Sequence, residues 1–217
     1  MKPYYESKLG KLYHGDCLQI MPELEPVDLV LTDPPYSNGT EYDTYKDNDE
    51  NLRKIISGLF PAITEKAVVV LITPGVSNIQ LYPRADWILS WVTMAGCGSG
   101  PWGFCCWQPI LAYGDDPFLK NGKGRRPDTI NVTRLSDKNT GHPCPKPIGL
   151  IQLIIQRASI NETDSILDLF VGSGSIPIAC ERLNRRWIGI EISEKYCEIA
   201  AKRIELEASQ LKLWGAK

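Results

Sequence analysis

Leu29-Val30-Leu31-Thr32-Asp33-Pro34-Pro35-Tyr36 is the stretch from which the fold of this chain is read. An apolar run that ends in an acid, two prolines and an aromatic describes a buried parallel strand delivering a rigid polar loop at its carboxyl end. Open α/β sheets place their ligands at that edge.

The flanks agree with this reading. Upstream, Lys11–His14 is a short strand closed by Gly15-Asp16, and Cys17–Leu24 has helical spacing with Leu18 and Met21 on one face. Downstream, the polar segment from Ser37 to Glu50 reads as a mobile loop. Leu52, Ile55, Ile56, Leu59 and Ile63 then mark a helix over Asn51–Thr64, broken only near Pro61. Ala67–Thr73 is a second buried strand.

The far end of the chain repeats the pattern. Pro147–Ala158 is a helix with Ile148, Ile151, Ile154 and Ile155 on its apolar face, and Ser165–Phe170 is a third strand. A glycine loop at Val171–Ser175 leads into a helix over Ile176–Leu183, with Pro177 tolerated in its first turn. Arg186–Glu191 is a fourth strand, and Ser193 caps a long helix reaching about Leu211. Strands alternating with helices predict an α/β fold, a mostly parallel sheet with helices on both faces.

The middle is less periodic. Ala85–Met94 fits helix or strand, and Phe104–Tyr113 reads as a strand whose Pro109 implies an edge or a bend. Asp115–Thr140 is rich in Gly, Pro, Asn and charge, with Lys120, Lys123, Arg125 and Arg126 close together. Most charge runs are solvated loops, but a long irregular insert in a compact domain is usually functional or disordered. The four basic residues are therefore carried forward as candidate DNA contacts. The expected organisation is one domain over residues 1–217 with a small insert at about 75–140.

Composition excludes several classes. Of the 217 residues 43% are hydrophobic and 23% charged, which is ordinary for a globular chain. No apolar run is long enough for a membrane span, and Met1–Glu6 lacks a signal-peptide core, so a cytoplasmic location is expected. A net charge of −2 neither announces nor excludes nucleic acid, since a local basic patch is what neutralises phosphates. Seven cysteines without a Cys-x-x-Cys pair argue for reduced, mostly buried thiols. Cys97, Cys105, Cys106, His142 and Cys144 match no common zinc spacing, so no metal site is expected.

Three constellations carry chemistry. In Asp168-Leu169-Phe170-Val171-Gly172-Ser173-Gly174, glycines let a ligand approach the backbone at a helix amino terminus. Glu191, about 17 residues on at the end of the next strand, is placed for ribose hydroxyls. Pro177 stands where a dinucleotide fingerprint has its third glycine, which disfavours NAD and leaves a mononucleoside such as S-adenosylmethionine. Asp33-Pro34-Pro35-Tyr36 offers an acid, a fixed carbonyl and a flat ring, which suit a flipped-out base bearing an exocyclic amine. His142-Pro143-Cys144-Pro145-Lys146-Pro147 is, alone, a proline-rich turn before a helix.

In this order the set resembles the amino-methylating DNA methyltransferases, which make N6-methyladenine or N4-methylcytosine from S-adenosylmethionine. The permuted group called β has Asp-Pro-Pro-Tyr before the glycine motif, as here, and the likeness runs from about Leu12 to Arg203. It implies a Rossmann-like methyltransferase fold and double-stranded DNA as partner, in a prokaryotic or phage setting. A homodimer and a companion restriction endonuclease are within what it allows. It implies that Asp33, Pro34, Pro35 and Tyr36 hold the target base. Asp168, Phe170, Gly172, Ser173 and Gly174 would line the cofactor cleft, Glu191 would bind the ribose, and Ile192 and Asp16 would lie by the adenine. His142 and Lys146 would sit near the methionine part.

The motif order argues against C5-cytosine enzymes, despite Pro143-Cys144, and against Asn-Pro-Pro-Tyr enzymes acting on protein glutamine. The other alternative is a non-catalytic DNA-binding relative. Within the family a leading Asp is commoner in adenine enzymes and a leading Ser in cytosine enzymes. Asp33 therefore favours N6-adenine over N4-cytosine.

Overall fold

The computed structural model describes residues 1–40, 42, 44–93, 98–133 and 145–213. Its main strands are β1 (Tyr5–Glu6), β2 (Gly10–His14), β3 (Val27–Thr32), β4 (Ala67–Ile72) and β5 (Trp87–Val92). A two-stranded hairpin, β6 (Ser99–Gly100) and β7 (Gly103–Phe104), precedes β8 (Trp107–Tyr113), β9 (Thr129–Asn131), β10 (Ser165–Asp168) and β11 (Arg186–Glu191). The helices are α1 (Cys17–Ile20), α2 (Asp49–Lys66), α3 (Pro117–Lys120), α4 (Ile148–Ala158), α5 (Ser175–Arg182) and α6 (Glu194–Leu213). Among the described residues no helix is long and apolar enough to cross a membrane.

Among the described residues the strands outside the hairpin form one nine-stranded sheet in the order β1-β2-β11-β10-β3-β4-β8-β5-β9. From β2 to β4 the neighbours run parallel, and β8 is antiparallel to both β4 and β5. The chain leaves β10 toward β11 on one side and β3 toward β4 on the other. The loops after β3 and β10 therefore part at the carboxyl edge, the switch point where doubly wound sheets bind ligands.

Each central strand is buried on both faces, which is why it reads as an unbroken apolar run. Leu29, Leu31, Val69 and Leu71 face Ile151, Ile154 and Ile155 of α4 and Ile204 of α6. Val30, Val70 and Ile72 face Leu52, Ile56, Leu59 and Ile63 of α2. Helix α2 starts on an Asn48 cap and runs through Pro61 to Lys66 without the expected break.

Three expectations need correction. The expected insert at about 75–140 contains β5, β8 and β9, which are strands of the main sheet. Pro109 lies inside an interior strand, between β4 and β5, rather than at an edge. It pairs with Ser90, whose N–H points away toward Asp128, so Pro109 owes that neighbour no hydrogen bond. On the other side the pairing has already stopped at Ile72–Leu111, so its missing N–H costs the ladder nothing. The segment after Tyr36 is also more organised than a mobile loop. The buried Asp47 carboxylate accepts the backbone N–H groups of Ser37, Asn38 and Thr40 at 2.7, 2.9 and 3.0 Å.

Candidate active site

The two polar loops meet because β3 and β10 are neighbours, and Thr32 stitches their ends together. Its hydroxyl donates to Asp168 Oδ1 and accepts from Leu169 N, both at 3.2 Å and both buried. A continuous cavity of about 380 Å³ then runs between the loops. Asp33, Pro34, Pro35, Tyr36, Lys146 and Asp16 line it, together with Asp168, Phe170, Gly172, Ser173, Glu191 and Ile192. Of the expected pocket residues, Gly174 stands just behind the wall as the α5 cap, and His142 lies outside the described residues.

On the glycine side, Glu191 is buried and accepts from Gly172 N at 2.7 Å and from Ser193 N at 2.9 Å. It therefore shapes the loop. Gly174 has φ of 87°, and a Cβ there would come within 3.3 Å of the Ala200 Cα. This position needs glycine both for its backbone and for the packing of α6. Asp168 is fully buried, and burial pushes its carboxyl up to about 8. Its Oδ1 is held by Thr32 and Phe170 N, whereas Oδ2 has no hydrogen-bond partner among the described residues. Asp16 caps α1 through Leu18 N at 2.9 Å, and Ile192 is half exposed beside it on the cavity.

On the other side, Asp33 is the hub. Its carboxylate accepts from Tyr36 Oη at 2.7 Å and from the Thr73 hydroxyl. Lys146 Nζ lies 2.7 and 2.6 Å from its two oxygens and 2.6 Å from Tyr36 Oη. The Lys146 side chain is only 5% exposed. The sequence reading places it near the methionine part of a cofactor, and in the structure it contacts Asp33 and Tyr36 within the shared cavity. Sequence reasoning missed the supports of Tyr36. Asn78 Nδ2 donates to the Tyr36 carbonyl at 2.6 Å, Gly75 lies against its ring, and Gln108 Oε1 is 3.5 Å from its hydroxyl. The turn signal Thr73-Pro74-Gly75 after β4 was the only available hint.

The basic cluster is elsewhere. Tyr113, the last residue of β8, pairs with Val70, and Gly114 lies against the Val68 carbonyl near the start of β4. The chain from 115 to 126 therefore leaves from the amino edge. A six-residue strand spans roughly 20 Å, so this edge is about that far from Asp33 along the strands. Arg126 is tied to Asp116 at 3.0 Å and to the Arg157 carbonyl at 2.8 Å, with its guanidinium 3.6 Å from the Phe118 ring centre. Lys120 pairs with Asp115 at 3.3 Å and Lys123 lies over Phe118, while Arg125 is exposed. The four residues expected as DNA contacts thus lie at the opposite edge of the sheet from Asp33.

The hairpin, by contrast, lies in the connection at the carboxyl edge. β5 and β8 are joined at the carboxyl edge by residues 93–106, where Trp102 is fully exposed and Phe104 is 84% exposed. Of the thiols, Cys17, Cys180 and Cys197 are buried, and burial pushes the Cys17 thiol up to about 12. Cys105 and Cys106 are more accessible, and Cys97 and Cys144 lie outside the described residues.

The chain is similar to several known proteins. The chain is 28% identical to the Type II methyltransferase M.BamHI of Bacillus amyloliquefaciens, over 99% of this chain and 62% of that one. That alignment includes Asp33–Tyr36, although this chain spans less than two thirds of the relative's length. It is 29% identical to the Type II methyltransferase M2.DpnII of Streptococcus pneumoniae, over 95% of this chain and 93% of that one. Among solved structures, an M1.HpyAVI–SAM complex aligns with a TM-score of 0.67 at 22% identity, over 90% of this chain and 99% of that one. The PvuII cytosine-N4-specific DNA methyltransferase aligns at 0.71 and 16%, over 97% and 95%. These likenesses establish the fold. The DNA methylase family model N6_N4_Mtase matches residues 87–202, more than half of the sequence and including the glycine loop and Glu191. With that match, the chain belongs to the amino-methylating N6/N4 DNA methyltransferase family.

Proposed function

We propose that this protein transfers a methyl group from S-adenosylmethionine to the N6 of an adenine flipped out of double-stranded DNA. The observation that supports it most is the continuous cavity joining Asp33 and Tyr36 to Gly172 and Glu191. A reaction between a base and a nucleoside cofactor needs both in one enclosure.

The residues present fit such a cofactor. Glu191 lines the cavity at the end of β11, where its carboxylate suits ribose hydroxyls, and the positive-φ glycine turn keeps the wall free of side chains. Asp168 Oδ2 is buried without a partner among the described residues, and a bound amino-acid ammonium would draw the carboxyl into its ionised, accepting form. Asp16 and Ile192 flank the end beyond Glu191. Bound there, the cofactor supplies an electrophilic methyl on a sulfonium.

The chain's own residues then act on the base. An exocyclic amine is a weak nucleophile because its lone pair is delocalised into the ring. Hydrogen bonds donated by that amine to Asp33 and to the Pro34 carbonyl favour a more tetrahedral nitrogen and free the pair. Tyr36, pinned between Gly75 and Asn78, presents a fixed ring for stacking. The carboxylate also stabilises the positive charge that builds on the nitrogen during transfer. No covalent intermediate with the enzyme is required.

Trp102 and Phe104, exposed at the same edge, form the part of the 75–140 region best placed to meet the duplex. Apolar side chains of this kind fill the gap left by a flipped base. N4-cytosine is the second reading, favoured by the likeness to the cytosine-N4-specific PvuII fold. The test is incubation with methyl-labelled S-adenosylmethionine and unmethylated DNA, then digestion and mass spectrometry of the nucleosides. N6-methyldeoxyadenosine is expected. N4-methyldeoxycytidine would overturn the adenine assignment, and unlabelled DNA would overturn the enzymatic one.

A further inference from the structure

The peptide that follows Tyr36 is held at both of its polar atoms by buried side chains from other parts of the chain. Asn78, in the turn after β4, donates from Nδ2 to the Tyr36 carbonyl at 2.6 Å, and Asp47 Oδ1 accepts from Ser37 N at 2.7 Å. The second Asp47 oxygen accepts from Asn38 N and Thr40 N at 2.9 and 3.0 Å. An amide in place of this carboxylate has one acceptor oxygen and would turn a donor toward one of the two sets. On the amino side of Tyr36, Pro34 and Pro35 fix their own φ. The backbone at Tyr36 is therefore stiffened by proline rings before it and by hydrogen bonds after it.

Asp47 is itself anchored to the core. Beside it, Asn48 caps α2 by accepting from Asn51 N at 2.9 Å, and Asn51 Nδ2 donates to the Lys46 carbonyl at 2.8 Å. Leu52 and Ile56 in the first turns of α2 are buried. The constraint shows at Ser37, whose φ of 56° lies in the left-handed region that side chains disfavour. It is kept there because Asp47 takes the N–H groups on both sides of it, Ser37 N and Asn38 N. Beyond that turn Asn38, Thr40, Tyr42 and Tyr45 line the cavity with Tyr36, and Asp47 stands behind them.

We infer that Asp47 is a positioning residue for the transfer, which sets where the Tyr36 ring stands by clamping the peptide after it. A base stacked on a displaced ring presents its amine off the line of attack, so the loss falls on the rate of transfer. This rests on the proposed reading of Tyr36 as the surface on which the base stacks.

The test is a double-mutant cycle on single-turnover methyl transfer, with Asp47→Asn and Tyr36→Ala. Asp47→Asn should lower the rate about tenfold, the worth of roughly one hydrogen bond to a charged group. In the Tyr36→Ala background the same change should cost less than about twofold, because residues that act through one another are not additive. Asp47→Glu, which keeps the carboxylate and moves it by one methylene, takes the place of Asp47→Asn if that variant does not fold. A second arm needs no duplex. Deoxyadenosine monophosphate is titrated into the 13C-tyrosine-labelled full chain loaded with S-adenosylhomocysteine, and the Tyr36 ring signal is assigned through Tyr36→Phe. That signal should shift with the nucleotide, and the midpoint should move to about tenfold higher concentration in Asp47→Asn. Equal losses of rate with and without the Tyr36 ring, or an unmoved midpoint in a folded variant, would overturn the positioning role. A Tyr36 signal that ignores the nucleotide in the unsubstituted protein would remove the stacking surface and the inference with it. Unlabelled DNA together with a moved midpoint would refute the proposed function and leave the clamp standing.

Discussion

The two edges of the central sheet carry similar residue types to different ends. At the amino edge, Lys120, Lys123, Arg125 and Arg126 form the densest run of positive charge in the chain, and the structure ties most of it up locally. Arg126 braces Asp116, Phe118 and the end of α4, and Lys120 pairs with its neighbour Asp115. At the carboxyl edge one lysine, Lys146, is buried against Asp33 and Tyr36 in the cavity shared by both loops. Charge density along a chain reports solvation. The meeting of strand ends in a parallel sheet places the chemistry.

The largest expected effect breaks the comparison at its centre. Asp33→Ala should lower the single-turnover rate of methyl transfer by about 10²–10³-fold, the range found when one transition-state hydrogen-bond partner is removed. Retention of the rate within tenfold would mean that the reaction is not organised at this edge.

The next effect is on stability, and its sign follows from Asp168. The carboxyl ionises near 3.8 when free and near 8 in the fold. Its contribution to stability is thus fully present below about pH 4 and lost as pH rises through 8. Asp168→Asn, which cannot ionise, should gain melting temperature relative to the unsubstituted protein between pH 4 and 8, by several degrees, and level off above. A pH-independent difference would show that Asp168 is not the buried acid described above.

Trp102→Ala should raise KM for duplex DNA about tenfold with an unchanged melting temperature, in line with roughly 1–3 kcal/mol for stacking a base on an aromatic. The smallest effect is expected at the amino edge. Changing Lys120, Lys123 and Arg125 together to Ala should alter DNA affinity less than about twofold at moderate salt, and should leave the salt dependence of binding as steep as before. Side chains that neutralised phosphates would flatten that dependence on removal. Arg126→Ala should act on stability instead, by about 1 kcal/mol through its two hydrogen bonds. A large drop in affinity in the triple variant would return these residues to the DNA interface.

Much of this was legible from residues alone, for identifiable reasons. Leu29–Thr32, Ala67–Ile72 and Ile166–Asp168 are apolar on both faces, and only parallel strands under two helix layers need that. Gly172, Gly174 and Glu191 were found because a turn with positive φ and an acid one strand later is a local constraint that side-chain chemistry cannot disguise. Pro109 misled because proline is judged by the hydrogen bond it cannot make, and here the partner strand had already ended. Asp47, Thr73, Asn78 and Gln108 were missed because each is a common polar residue whose role depends on what arrives from a distant segment.

By itself the sequence determined the element types outside the 85–140 region, the direction of the central strands and the two polar loops that meet at the cavity. Periodicity, turn chemistry and motif order are local properties, and each element's burial pattern is written within its own residues. Only the tertiary structure decided that Lys146 meets Asp33, at 113 residues' separation, and that the basic run faces away from the pocket. The reason is strand order. Which ends become neighbours depends on how nine strands pair into one sheet, and no single segment contains that information.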